Sequence, residues 1–303
     1  MTDRDKQTRK DVTALATGKQ WAGYLGRMQE SPIVIPEDRM CGLAALLDYP
    51  ETPWPGGEVP PTGHWCVLFP DTPQSDLGED GHEKPGRFLP PIRYPRRMWA
   101  GGHIDFLQPM YIGETCTRRS TIKRIEDKTG RSGPMTFVTV SHEYLAGDVL
   151  KRRDVQHIVY RDAAASLPAP SNRTVQSGGS ANAFDWSTQI MPDAILLFRY
   201  SAVTFNAHRI HYDRDFALRE GYPGLLVHAP LTATLLIDLF QRSCPGTGIR
   251  RFEYTARSPM YDGYPFTIMG RRMKNRKVSL RAEACDGTES MTAELETVED
   301  EVR

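Results

Sequence analysis

The sequence predicts an α+β protein built from two copies of one unit, each an antiparallel sheet wrapped around an apolar helix. Three observations carry that prediction. Pro109-Met110-Tyr111-Ile112-Gly113 recurs as Pro259-Met260-Tyr261-Asp262-Gly263, an offset of 150 positions (109 to 259) that is close to half of the 303 residues. After each copy come segments of alternating polarity joined by turn residues, the pattern of half-buried antiparallel strands. Two stretches, one in each half, repeat apolar residues at helical spacing.

Taken in order, the opening MTDRDKQTRKD mixes acids with bases and has no apolar run, so it reads as neither a secretory signal nor a transit peptide. Asp38 to Tyr49 is the first helix, with Met40, Leu43, Ala44, Leu46 and Leu47 on one broad face. From Pro50 to Pro95 stand eleven of the 23 prolines, too many for ordinary strands, and the stretch is expected to be an ordered, packed loop. Its Trp54, Trp65 and Phe69 either plug the first half or wall an acyl tunnel. Beyond the first repeat, TCTRRSTIKRI, MTFVTVSHEYLAG and DVLKRRDVQHIVYR read as strands, with Thr136, Val138 and Val140 alternating against Phe137, Thr139 and Ser141. The small, polar stretch that follows reads as a linker, placed at 166–182, between a first unit over 1–165 and a second over 183–303. In the second unit Pro230 to Arg242 is the apolar helix, with proline in its first turn and Gly246 past its end. PFTIMGRRM, KNRKVSLRAEAC and SMTAELETV are its strands.

Composition excludes several classes of function. Lys plus Arg number 38 against 38 Asp plus Glu, so no global charge points to nucleic acid or to an anionic membrane. No run approaches the roughly 18 apolar residues that span a bilayer. The five cysteines, with no C-x-x-C pair, fit reduced thiols in a soluble cytoplasmic protein better than a disulfide framework or a zinc site.

Chemistry concentrates between Phe198 and Asp238, where Asn206, His208, His211 and His228 surround a Gly-Pro turn that leads into the second helix. A neutral imidazole takes a proton from water and returns one near neutral pH. The N–H groups at a helix start, here near Ala229, stabilise the negative charge that builds on a thioester oxygen. Together they suit the addition of water to an enoyl thioester, with His211 as the acid–base group. Asn206, whose amide neither accepts nor releases a proton as an acid or base near neutral pH, would orient the water by hydrogen bonds. His208, His211 and Asp213 lack a third histidine at zinc-like spacing, so no metal is expected. Arg271, Arg272 and Lys274 lie on an expected hairpin where nucleotide phosphates of coenzyme A would bind.

The segment from Arg199 to Leu235 resembles the active-site stretch of the hydratase 2 and MaoC-like dehydratases, whose motif runs G-D-x-N-P-L-H toward a helix entered at H-G. Gly63 to Pro91 and Pro95 to Glu114 are similar to the type 2 hydroxyacyl-thioester dehydratases and to relatives that hydrate C4 to C5 dicarboxylic acyl-CoAs. The resemblance implies a double hot-dog fold with a degenerate first half and a catalytic second half. Carried over, the motif histidine falls on His211, its leucine on Ile210, its proline on Arg209, its asparagine on His208 and its aspartate on Asn206. The H-G entry falls on His228-Ala229. The carboxylate of the motif is therefore missing. Tyr200, Arg199 and Arg209 join the expected substrate shell, and Arg199, Arg209, Arg96 and Arg97 are candidates to meet a second carboxylate. The expected function is a hydro-lyase acting on an enoyl- or 3-hydroxyacyl-CoA such as a mesaconyl, itaconyl or 3-methylfumaryl thioester. The expected partner is the acyl-CoA itself, with no other cofactor, no nucleic acid and no membrane; a homodimer is left open. An acyl carrier protein dehydratase, a hot-dog thioesterase and a non-catalytic acyl-CoA binding module are the alternatives.

Overall fold

The computed structural model describes residues 19–67, 72–130, 133–162 and 184–298; the expected linker and Phe69 lie outside them. Ten segments of alternating pattern pair antiparallel into one sheet. They are β1 (Met28–Val34), β2 (Arg96–Phe106), β3 (Thr115–Gly130), β4 (Gly133–Ala146), β5 (Val149–Arg161), β6 (Trp186–Ile190), β7 (Ile249–Ala256), β8 (Phe266–Arg272), β9 (Lys277–Ala284) and β10 (Glu289–Thr297). Their order is β1-β3-β4-β5-β2-β7-β10-β9-β8-β6. From either edge inward the connectivity is the same, first strand, third, fourth, fifth, second, so the sheet is two copies of a five-stranded unit. The double hot-dog expected from the sequence is the fold.

The seam between the copies is the pairing of β2 with β7, in which Gly101 faces Thr255 and Gly102 faces Tyr254. Glycine is required there by close approach. A Cβ on Gly101 would lie 2.4 Å from the Tyr254 carbonyl oxygen, and one on Gly102 would lie 2.1 Å from that of Val155.

The PMYxG repeat marks one turn in each half. The Met110 carbonyl accepts from the Val59 N–H at 2.8 Å, and the Met260 carbonyl from the Val227 N–H at 2.9 Å. Ile112 N–H donates to Gly57, and Asp262 N–H to Leu225, in the same relation. Val59 and Val227 are thus equivalent, and directly after them the halves diverge. Val227 leads through His228 into a helix of 15 residues, Ala229–Ser243, whereas Val59 leads into Pro60-Pro61 and a single 3-10 turn, Gly63–Val67. Two consecutive prolines supply no N–H and no continuing helix.

Besides that helix, called α4, the chain forms α1 (Glu37–Leu46), α2 (Ala194–Thr204) and α3 (Arg214–Arg219). Every residue of α4 from Leu231 to Phe240 is buried, and the helix packs on β6, β8, β9 and β10. Its polar members are satisfied: Thr234 donates to the Pro230 carbonyl, and Asp238 accepts from Tyr49 and Arg242. The first-half helix is placed differently. α1 ends three residues earlier than the sequence suggests, and its main contacts are with α2 and the 63–67 turn; Met40, Leu43 and Leu46 join the same core as α4. The core beneath the first half is completed by the proline-rich loop. Trp65 is buried, donates to Asp154 at 2.9 Å and packs on Trp99 and Tyr254. It plugs that half, as the first of the two alternatives held. Among the described residues no helix is long and apolar enough to cross a membrane.

Candidate active site

The second copy of the repeat builds the site. Asp262 fixes the 225–228 segment through the Leu225 N–H, held at 2.7 Å, and an ion pair with Arg214. That segment grips the motif at two points: Leu226 N–H donates to the Ile210 carbonyl at 2.9 Å, and the Leu226 carbonyl accepts from Nδ1 of His211 at 2.8 Å. A carbonyl only accepts, so the proton sits on Nδ1 and the His211 Nε2 lone pair is free to act as a base. No described residue hydrogen-bonds that nitrogen. The ring is buried, and burial pushes its pKa down to about 4, against the Leu226 hydrogen bond. His211 is neutral at pH 7, the form that accepts a proton.

His211 stacks on His228, with ring centroids 3.7 Å apart and an interplanar angle of 18°. His228 precedes α4, so the stack places the base beside the helix start. Pro230 has no N–H, and among the described residues no acceptor faces the Ala229 N–H, which is a donor of the kind that helix starts leave unpaired. His228 is wholly buried, bonded to Ser201 at 2.9 Å, and burial holds it well below its ordinary pKa. Tyr200 is buried and packs edge-on against the His228 ring.

Local structure sets the motif's path. α2 ends with the left-handed Phe205 (φ 51°), Phe205 N–H bonded to Ala202 and Asn206 N–H bonded to Ser201, which turns the chain sharply into the motif. A phenylalanine in that region costs about 1–2 kcal/mol, a strain held at the site. The Asn206 side-chain oxygen Oδ1 then accepts from His208 N–H at 3.0 Å, a local turn. A one-turn helix, Arg209–His211, follows, and α3 is capped by Asp213.

The structure therefore gathers His208, His211, His228, Ala229 and Tyr200, while the Asn206 side chain is held in the adjoining turn. It does not gather Arg199, Arg209, Arg271, Arg272 or Lys274. Arg199 is exposed on α2. Arg209 is spent on Asp213, at 2.7 Å, and on the Glu79 carbonyl, at 3.1 Å. Arg271, Arg272 and Lys274 are exposed on the β8–β9 hairpin, where Arg272 reaches Cys244 at the far end of α4. The helix rise puts this end roughly 20 Å from His228. Arg96 and Arg97 do approach the site: they line a cavity of about 270 Å³ together with His208, Asp80 and Arg219.

Two residues that the motif did not reveal also stand here. The loop from Leu77 to Glu83, closed by an isolated bridge between its ends, lays Asp80 and His82 against His208. The donor atoms of Asp80, His82 and His208 lie within 4.8 Å of one another, near enough to gather on a cation. Here His82 Nδ1 and an Asp80 oxygen are instead bonded to each other at 2.8 Å, and the Arg97 charge lies close by, a neighbour that opposes a cation.

Among the described residues the first half shows no counterpart of this arrangement. At the place equivalent to the α4 start, the Pro60 and Pro61 carbonyls are capped by the buried Arg152 at 3.1 and 3.0 Å, which also bonds His64. His64 in turn meets Asp154 at 3.3 Å.

The chain is similar to known proteins in sequence and in fold. Residues 62–262 match the model of the family described as hydroxyacyl-thioester dehydratase type 2. The chain is 40% identical over 283 residues to the mesaconyl-C(4)-CoA hydratase of Chloroflexus aurantiacus, covering 91% of this chain and 97% of that one. It is 25% identical over 231 residues to the mitochondrial hydroxyacyl-thioester dehydratase type 2 of Schizosaccharomyces pombe, covering 69% and 76%. In three dimensions it is similar to a MaoC-like dehydratase from Phytophthora capsici (TM-score 0.69, 13% identity, 92% and 98% covered). A Mycobacterium tuberculosis protein described as having a double hotdog fold is a further structural match (TM-score 0.52, 12% identity, 90% and 96% covered). The chain belongs to the hydroxyacyl-thioester dehydratase type 2 family and is a hydro-lyase.

Proposed function

We propose that the chain adds water reversibly to the double bond of an enoyl-CoA whose short acyl group carries a second carboxylate, with His211 as the acid–base group. The observation that carries this reading is the His211 imidazole, its Nδ1 fixed by the Leu226 carbonyl and its ring stacked at the start of α4. As the water oxygen bonds to the β carbon, one water O–H bond breaks and Nε2 takes the proton. The π pair moves toward the thioester oxygen, where the Ala229 N–H meets the growing charge, and the proton then returns to the α carbon. Asn206 is assigned to orient the water through its NH2 group.

The similarity to the mesaconyl-C(4)-CoA hydratase supports a dicarboxylic acyl group. So does the cavity beside His208, in which Arg97 has no ion-pair partner among the described residues. The coenzyme A phosphates are assigned to Arg271, Arg272 and Lys274, which requires the pantetheine arm to run along α4. The test is a panel of mono- and dicarboxylic enoyl-CoAs followed by enoyl absorbance with a thiol reagent present. Loss of absorbance without thiol supports hydration. Thiol release would make the chain a thioesterase, and no change in either signal would make it a binding module.

A further inference from the structure

The site has an acid–base histidine and an amide where the general hydratase 2 motif has a carboxylate, so the charge that would stabilise a protonated imidazole is missing from the motif itself. The first half brings one. Asp80 holds His82 twice, accepting from the His82 N–H at 3.0 Å through Oδ1 and from Nδ1 at 2.8 Å through Oδ2. With its Nδ1 proton engaged, the His82 ring presents Nε2 as an acceptor. Its centroid lies 4.1 Å from that of His208, and His208 lies 5.4 Å from His211.

The loop carrying this pair is seated on the motif. The Asp80 carbonyl accepts from Arg209 N–H at 2.9 Å, and the Glu79 carbonyl from the Arg209 guanidinium. Gly81 sits at φ +90°, and a Cβ there would stand 1.9 Å from the Ala207 carbonyl oxygen, so the two backbones touch only because this residue is glycine. Such contact fixes the pair in place. The groups facing His82 are Asp80 on its own loop, Arg97 from β2, Tyr160 from β5, His208 from the motif and His211 beyond it.

We propose that Asp80 and His82 are positioning residues of the hydration site, supplying from the first half the carboxylate that position 206 lacks. The inference rests on the hydration reading above. When His211 Nε2 holds the proton taken from water, the Asp80 charge, acting through space across the His82 and His208 rings and against the nearby Arg97 charge, stabilises the imidazolium until the proton passes to the α carbon. No other reactant is needed, since the proton leaves water and ends on carbon.

The experiment is a cycle of Asp80→Asn, Asn206→Asp and the double variant, read by kcat, KM and the pH profile of kcat. Asp80→Asn keeps an oxygen for the His82 N–H but removes the charge. It should lower kcat roughly tenfold to a hundredfold with little change in KM, and move the pH profile. Asn206→Asp should restore kcat at least tenfold in the Asp80→Asn background and give no comparable gain in the natural one. His82→Gln should reproduce the loss. Equal effects of Asn206→Asp in both backgrounds, or an unchanged profile in Asp80→Asn, would overturn the inference. So would wild-type activity lost to a chelator and restored by zinc only when Asp80 is present. A readout without turnover separates this from failure of the hydration reading. In nitrogen-15 imidazole spectra, Asp80→Asn should shift His82 away from the Nδ1–H tautomer and move the His208 resonances. An enzyme inactive on the whole panel sinks the hydration reading, and an unchanged His82 tautomer sinks this one.

Discussion

Replacing His211 by Asn should make the fold less sensitive to acid, and the size of the change follows from the burial of the ring. The free imidazole has a pKa near 6.5, and in the folded chain burial lowers that of His211 to about 4. Between those values the unfolded chain binds a proton that the folded chain refuses, so stability is complete above pH 6.5 and falls as the pH drops through the window. The loss is about 1.4 kcal/mol per pH unit, or about 3 kcal/mol across it, a large share of the roughly 5–15 kcal/mol that holds a domain together. His64 and His228 are buried and shifted in the same direction, and they add slope to both proteins alike. Asn at 211 places an amide N–H about where Nδ1 donates to Leu226, so the local hydrogen bond survives while the titration goes. Urea denaturation at pH 7, 6, 5 and 4.5 measures both proteins. The variant's stability should fall by about 3 kcal/mol less than that of the natural chain toward pH 4, whatever its constant offset. Parallel curves would show that His211 is not neutral and buried in the way its geometry states.

The same His211→Asn variant should lose roughly a hundredfold to ten-thousandfold in turnover, read with the best enoyl-CoA of the panel. Arg97→Gln should raise KM for dicarboxylic substrates by tenfold or more and leave monocarboxylic ones nearly unchanged, a split that steady-state kinetics resolves. Gly81→Ala must displace the loop or the motif, and it should cut kcat at least tenfold while the melting temperature falls by only a few degrees, as checked by calorimetry. Titration of the chain with a non-reactive acyl-CoA analogue should saturate near one equivalent, because Arg152 fills the equivalent place in the first half.

Strands that face water on one side were legible because their polarity alternates. Thr136, Val138 and Val140 are buried in β4 as the pattern requires, and β3, β5, β8, β9 and β10 fall where segments of that kind were expected. The strands that join the halves did not show. β2 reads RRMWAGGHIDF, in which paired glycines mimic a turn, yet they stand there because neighbouring carbonyls come within 2.4 Å of where a Cβ would be. α2 was also missed as an element, although Asp193 caps it through the Leu196 N–H at 2.7 Å. In the site, Asn206, His208, His211, His228 and Ala229 are close in sequence and could be read together. Asp80 and His82 are more than 120 positions from His208, and no local spacing rule reaches that far; the one hint was Gly81 between them.

The divergence of the halves after Val59 and Val227 links loss to gain. Where the second half continues into α4, the first has Pro60-Pro61 and must fill the space of a helix by other means. It does so with Trp65 and with a buried Arg152–His64–Asp154 network that satisfies the proline carbonyls. That network removes a second acyl site, since the carbonyls it caps stand where a helix start would offer N–H donors. From Thr72 to β2 the described chain holds only one short 3-10 turn, Gln74–Asp76, and loop. The part of it from Leu77 to Glu83 lies on the motif of the other half and carries Asp80 there. The first half is thus not only a support for the second: where it lacks the helix, its own loop brings Asp80 and His82 against His208.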